Sequence, residues 1–132
     1  MWMGIVDDPL ADSMLRPRAR LMARMLRRWP GNRYAHSPTF SFLAARTRFF
    51  DEEIIRALDD DINQVGIIGA GYDTRAWRLA RPGVNFFEVD HPATQRDKQQ
   101  RAPIGGPHYV PVDLCEGELA EQLVSAGLRP GA

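Results

Sequence analysis

The sequence holds one cysteine in 132 residues, and one lysine among its seventeen basic residues. Because Cys115 has no second cysteine beside it, an internal disulfide and a cysteine-rich zinc site are excluded, and a reducing compartment fits. We expect Cys115 to be a small, partly buried side chain. His36, His91 and His108 are scattered without metal-ligand spacing, so we predict no metal site.

Long apolar runs are missing as well. No stretch approaches the roughly 18 consecutive apolar residues that cross a bilayer. The first residues carry acids where a secretory signal needs cations and an apolar core. We therefore predict no membrane span and a cytoplasmic location.

The chain has no net charge, because its acidic and basic residues balance. We therefore expect no global attraction to nucleic acid. Arginines nevertheless crowd the first quarter of the chain. From Asp12 to Trp29 they alternate with apolar residues at helical spacing, which predicts one basic amphipathic helix with Pro17 in its first turn. We expect this helix to pack on the domain. The alternative is a non-catalytic interaction module, in which the helix binds a partner, an anionic membrane or nucleic acid.

A further helix is predicted to begin at Ser37 and Pro38, with the serine as N-cap. The three acids 51–53 suit the first turn of a helix better than the middle of one. We therefore predict a break near Phe50 and a second short helix through Leu58. Residues 1–58 would form an amino-terminal helical cap.

From residue 59 onward, strand-like and helix-like segments alternate. Strands are predicted at 65–68, 84–89 and 108–112, and helices at 74–80, 93–102 and 117–126. This order predicts an α/β fold, a Rossmann-like doubly wound parallel sheet whose first three strands lie in residues 59–132. Val65, Ile67 and Ile68 are typical of a strand buried on both faces. Pro111 fits an edge strand, the place of the third strand in the order 3-2-1-4-5.

The segment VGIIGAGYDTR joins the first predicted strand to a helix. Gly69 and Gly71 allow the backbone to turn tightly and to approach a ligand, while Asp73 and Thr74 are placed to cap the helix. Asp90 follows Gly69 by 21 residues (90 − 69) at the end of the second strand. That spacing lets a carboxylate accept hydrogen bonds from both hydroxyls of a ribose.

Asp113 and Leu114 end the third predicted strand. The Asp113 side chain can accept from an adenine amino group, and the Leu114 amide can donate to a ring nitrogen. Because the carboxyl ends of parallel strands share one sheet edge, we predict an adenosine-binding site there. Thr74 stands where a dinucleotide fingerprint needs a third glycine, and Asp73 puts negative charge where a pyrophosphate would bind, which favours S-adenosylmethionine. An NAD-binding oxidoreductase fragment is the alternative.

Four segments resemble a known family: Ala45-Arg46-Thr47 with Asp51 after it, GIIGAGYDTRAWRL, FFEVDHP with Lys98 downstream, and VPVDL. Over residues 42–114 they resemble the leucine carboxyl methyltransferase-like group of class I S-adenosylmethionine-dependent methyltransferases. The resemblance implies S-adenosyl-L-methionine as cofactor and O-methyl transfer to an unknown small molecule or carboxylate.

The same resemblance implies six cofactor-binding residues and no catalytic one. Arg46 would hold the carboxylate of the cofactor, Gly69 and Gly71 would lie beneath its methionine part, Asp90 would bind the ribose, and Asp113 with Leu114 would contact the adenine. The alternative for Arg46 is a surface ion pair with Glu52 or Glu53.

The sequence departs from the family where the fourth strand would begin, because it ends there. We expect a truncated methyltransferase, either a gene fragment or one half completed by a second polypeptide, with impaired or no activity alone. The first strand would then be an exposed apolar edge.

Overall fold

The computed structural model describes residues 8–28, 37–115 and 118–131. The chain divides into two units, Met1–Glu53 and Ile54–Ala132. The predicted helix end at Trp29, the residue His36 and the predicted helix start at residue 117 lie outside the described residues.

The described helices at the start of the chain are α1 (Ala11–Met14), α2 (Pro17–Arg27) and α3 (Pro38–Asp59). The prediction of one continuous basic helix from Asp12 is wrong. Leu15 is extended, with φ −75° and ψ 142°, and Pro17 begins a new helix. Proline disfavours helical backbone in the residue before it and is tolerated in a first turn, so the chain breaks between α1 and α2.

Helix α3 continues through Phe50, and the predicted break there is wrong. The acids 51–53 lie within the helix. Nε of Arg48 pairs with Oε1 of Glu52 at 2.7 Å, one helical turn away. Arginine at this spacing offsets the unfavourable charge, so an acidic run does not require a helix start.

The second unit alternates strand and helix. Its elements are β1 (Gln64–Ile68), α4 (Arg75–Arg78), β2 (Asn85–Asp90), α5 (Pro92–Gln99), β3 (His108–Pro111) and α6 (Leu119–Ser125). The strands are parallel, and β2 lies between β1 and β3. This arrangement confirms the predicted Rossmann-like α/β fold with its first three strands.

The two faces of β2 differ in chemistry. Phe87 and Val89 point to one face, where they form an apolar cluster with Val110 and Val112 that side chains of α6 cover. Glu88 points to the other face and contacts α5. Helices therefore cover both faces, as in a doubly wound fold.

Both edges of the described sheet are exposed to solvent. Pro111 ends β3 and is exposed, which agrees with the predicted edge. The prediction that β1 is buried on both faces is wrong, since Ile68 is half exposed and Val65 and Ile67 are only partly buried. Within the described residues β1 has only β2 beside it, so its other edge is the exposed one that we expected.

Candidate functional site

The glycine turn follows β1 directly. Gly69 and Gly71 have φ of +66° and +52°, in the left-handed region that glycine tolerates best. A Cβ built on either residue would meet nothing within 4 Å. The two glycines are therefore required by the shape of the turn, and the space beside them is open.

Asp90, at the end of β2, is bonded to this turn. Its Oδ2 accepts from the amide of Gly71 at 2.6 Å, and its Oδ1 accepts from the amide of His91 at 2.6 Å. A carboxylate has about four acceptor positions, so each oxygen keeps capacity for a further donor. The residue predicted to bind a ribose is thus oriented by two hydrogen bonds and can still accept others.

Backbone hydrogen bonds join the ends of the three strands. The amide of Ala70 donates to Val89 O at 3.1 Å, and the amide of Val112 donates to Asp90 O at 3.0 Å. These bonds tie the glycine turn and the end of β3 to the end of β2. The carboxyl ends of the three strands therefore lie together at one edge of the sheet, as predicted.

Asp113 and Leu114 come directly after this junction. Asp113 is partly buried, and its Oδ1 accepts from the amide of Cys115 at 3.0 Å. Leu114 is half exposed. Cys115 is exposed, so the prediction of a partly buried thiol is wrong; the turn after β3 points it outward.

Asp73 caps helix α4, as predicted, because its Oδ1 accepts from the amide of Arg75 at 2.7 Å. Thr74 occupies the N-cap position, but its buried side chain makes no capping bond: its Oγ1 accepts from Nε of Arg78 at 3.0 Å. The Asp73 carboxylate also pairs with the guanidinium of Arg75. That cation compensates part of its charge, which weakens the electrostatic argument against a pyrophosphate.

Arg46 lies on α3 in the first unit and is exposed. Its guanidinium carbon is 5.5 Å from the centre of the Phe50 ring, within the range of a cation–π contact. Glu52, one of its expected ion-pair partners, pairs with Arg48 instead.

Comparison with known proteins identifies the family. The sequence profile named "Leucine carboxyl methyltransferase" matches residues 3–132. The chain belongs to the leucine carboxyl methyltransferase family. The resemblance of the motifs in residues 42–114 is thereby confirmed.

Relatives within this family carry the same kind of name, "Putative S-adenosyl-L-methionine-dependent methyltransferase". A protein of Parafrankia sp. (strain EAN1pec) is 42% identical over 97 residues, which is 68% of this chain and 31% of that protein. A protein of Mycobacterium marinum is 45% identical over 98 residues, 68% of this chain and 30% of that protein. The chain thus spans about a third of the length of the curated relatives it matches.

One feature of this family member was missed from the sequence: a buried ion pair between Glu88 and Lys98. Burial raises the pKa of Glu88 to about 7, although the hydrogen bond and the charge of Lys98 lower it. Burial, and then the charge of Glu88, raise the pKa of Tyr109 to about 12. A glutamate inside an apolar strand, together with the only lysine of the chain, was the available signal.

The turn has a second attachment in this structure. The hydroxyl of Tyr72 donates to the Asp97 carboxylate on α5, and Arg101 pairs with the same carboxylate. The Arg101 guanidinium also lies 5.4 Å from the centre of the Tyr72 ring. The glycine turn of this family member is therefore joined to α5 as well as to β2.

The described ranges hold neither a cluster of metal ligands nor a helix suited to crossing a membrane. Residues 8–28, 37–115 and 118–131 contain no group of three or more His, Cys, Asp or Glu placed to hold a metal ion. In the same ranges, no helix combines the length and the apolar character that crossing a membrane requires.

Proposed function

We propose that the chain supplies the cofactor-binding part of an S-adenosylmethionine-dependent methyltransferase. The observation that carries this proposal is the bond between the Gly71 amide and the Asp90 carboxylate, which joins the glycine turn after β1 to the acid at the end of the neighbouring strand β2. Family membership and the names of the relatives support it.

The residues present fit this cofactor. The remaining lone pairs of Asp90 accept from the ribose hydroxyls, and the open space beside Gly69 and Gly71 admits the methionine part. Asp113 and the Leu114 amide would contact the adenine, and the family resemblance alone assigns the carboxylate of the cofactor to Arg46. When bound, S-adenosylmethionine supplies a methyl group activated on a sulfonium.

We propose O-methyl transfer, with a small molecule or a carboxylate as acceptor. A carboxylate is already ionised and needs no general base, whereas a hydroxyl benefits from one. We assign no base among the described residues. Their contribution is to hold the cofactor in one orientation, since proximity and alignment drive this class of reaction.

A complete site requires a further strand beside β1. After α6 the chain returns to the start of β1, where the Gln64 side chain donates to Arg129 O at 3.0 Å and accepts from the Arg129 amide at 2.8 Å. A strand continuing from there would pair with the exposed edge of β1. We propose that the same polypeptide or a second one supplies it, and that the 132 residues alone have little or no turnover. From the composition of the chain we also propose a cytoplasmic location.

Isothermal titration calorimetry tests the cofactor assignment. We expect S-adenosylmethionine and S-adenosylhomocysteine to bind and NAD not to bind. Asp90→Asn should weaken binding about tenfold or more, because a hydrogen bond to a charged group contributes about 1.5–3 kcal/mol. Asp59→Asn is the matched control, since this exposed carboxylate pairs with Arg81 in the same unit. Binding of NAD alone would overturn the assignment.

The first unit carries a second candidate function, partner binding through α2. Leu21, Met22 and Met25 are each more than 60% exposed on this helix. Arg24, Arg28 and Asp12 line a cavity of about 480 Å³ together with Leu21 and Met25. Salt-dependent binding to anionic vesicles or nucleic acid, lost in the double variant Arg24→Gln and Arg28→Gln, would support it, and salt-independent or absent binding would exclude it.

A further inference from the structure

Two side chains of helix α5 bond to the same residue of β2, Glu88. Nε2 of Gln95 donates to the backbone oxygen of Glu88 at 2.7 Å, and Nζ of Lys98 pairs with its Oε2. The side chains of Glu88 and Lys98 are both 0% exposed. Two side chains about one turn apart on the helix therefore hold a single residue of the central strand.

Such a contact is a poor device for stability alone. Replacing a buried ion pair by apolar residues of similar volume is often neutral or stabilising, because both charges lose their hydration. The surroundings of the pair are polar as well. Four buried polar atoms find no hydrogen-bond partner within the described residues: Nε1 of Trp77, Oε1 of Glu88, Oε1 of Gln95 and the hydroxyl of Tyr109. A costly polar cluster of this kind calls for a reason other than packing.

The position of Glu88 suggests that reason. Glu88 precedes Asp90 by two residues on the same strand, so both side chains point to the same face. The end of β2 is hydrogen-bonded to the glycine turn. The Ala70 amide donates to Val89 O, and the Gly71 amide donates to the Asp90 carboxylate. A shift of β2 against α5 would therefore move the carboxylate and its partner amide.

Helix α5 also contacts the glycine turn and the residues after it. Asp97 accepts from the Tyr72 hydroxyl and pairs with Arg101. Lys98 is the next residue along the helix, and its ammonium lies 5.4 Å from the centre of the Trp77 ring, after the turn. Helix α5 thus contacts residues close to both partners of the bond between Gly71 and Asp90: Tyr72 follows Gly71, and Glu88 lies two residues before Asp90.

We propose that Lys98 is a positioning residue: through Glu88 it holds the end of β2 so that Asp90 stays bonded to the Gly71 amide. This inference rests on the proposed function for its ligand, a ribose bound by Asp90. The bond that it explains is intramolecular and is measurable without any ligand.

The test compares Lys98→Met with Arg96→Met, which removes a cation from an exposed position of the same helix. Hydrogen exchange measured by NMR in the ligand-free protein reports the protection of the Gly71 amide. We expect Lys98→Met to lower it about tenfold relative to the mean of the strand amides, and to raise the Kd for S-adenosylhomocysteine about as much. Arg96→Met should change neither quantity.

A lower melting temperature with unchanged Gly71 protection and unchanged Kd would overturn the proposal, since a merely structural residue behaves that way. If Lys98→Met does not fold, the double variant Glu88→Gln and Lys98→Met replaces it, because it removes the link between α5 and β2 without leaving an unpaired charge buried. The same two measurements then decide. A wild-type protein that does not bind S-adenosylhomocysteine contradicts the proposed function, whereas Gly71 exchange still decides the positioning role.

Discussion

The ring of Trp77 lies so close to Gly106 that a Cβ placed there would come within 2.3 Å of Cε2. Gly105 has a similar backbone, with φ of +86° against +94° at Gly106. A Cβ placed on Gly105, however, would meet nothing within 4 Å. Alanine at either site strains a left-handed backbone by about 1–2 kcal/mol. Only at Gly106 does it also collide with a neighbour.

We therefore expect Gly106→Ala to lower the free energy of unfolding by about 1–3 kcal/mol more than Gly105→Ala, the typical effect of overpacking. Urea denaturation of the two variants measures the difference. Equal losses would show that the Trp77 ring moves aside freely.

Glu88 gives the protein a pH-dependent stability. Its pKa is raised to about 7 in the folded state, first by burial and also by Asp73 and Asp90, against the opposing effect of Lys98. A carboxyl whose pKa is raised on folding contributes stability fully below its unfolded pKa and loses that contribution as the pH rises through the folded pKa. The change is largest between about pH 4.5 and about pH 7.

The quantity to compare is the free energy of unfolding of wild type minus that of Glu88→Gln. As the pH rises through this window, we expect this difference to fall by up to about 1.4 kcal/mol per pH unit. Tyr109 also faces Glu88 but titrates far above the window. Chemical denaturation at several pH values measures the effect. Parallel profiles for the two proteins would argue that Glu88 does not titrate there.

Some residues of the site could be predicted from the sequence, and others could not. Asp90 was predicted because a strand end and a fixed spacing from Gly69 are visible in the sequence. The pair of Glu88 and Lys98 was not, because nothing local says that a lysine ten residues away will be buried against a strand. Capping by Thr74 failed for a similar reason, since its hydroxyl bonds to Arg78 within the folded turn.

At the scale of elements, α6 covers the apolar face of the sheet. Leu123 packs against the cluster of Phe87, Val89 and Val110, while its neighbour Val124 is 48% exposed. We expect Leu123→Ala to lower the free energy of unfolding by about 1–3 kcal/mol, below the range for a fully buried leucine because Leu123 is only partly buried. Val124→Ala should stay within about 0.5 kcal/mol. Thermal or urea unfolding compares the two, and equal effects would mean that α6 does not pack as described.

Element boundaries were predicted less well than element types. Strands and helices of the second unit were found within a few residues because apolar runs and Gly or Pro punctuation mark them. The continuity of α3 and the break before α2 were missed. The first depends on pairing between Arg48 and Glu52 along the helix, and the second on the effect of Pro17 on the residues before it.

At the scale of the whole molecule, the exposed edge of β1 should promote association of the 132-residue chain. Exposed apolar edge strands pair with other chains, and a lysine on the edge prevents this. We expect sedimentation velocity to show concentration-dependent oligomers that Ile68→Lys reduces. Leu114→Lys is the control, since Leu114 is equally exposed but lies outside the strands. A monomeric wild-type chain that methylates an acceptor unaided would contradict the need for a further strand.

The central claim is that the turn, the end of β2 and the end of β3 bind one adenosine-containing ligand. The most direct measurement is an NMR titration of the backbone amides with S-adenosylhomocysteine. We predict saturable shifts at Gly69, Gly71, His91 and Leu114, with small shifts in α6. Shifts absent from these amides, or produced only by NAD, would contradict the account.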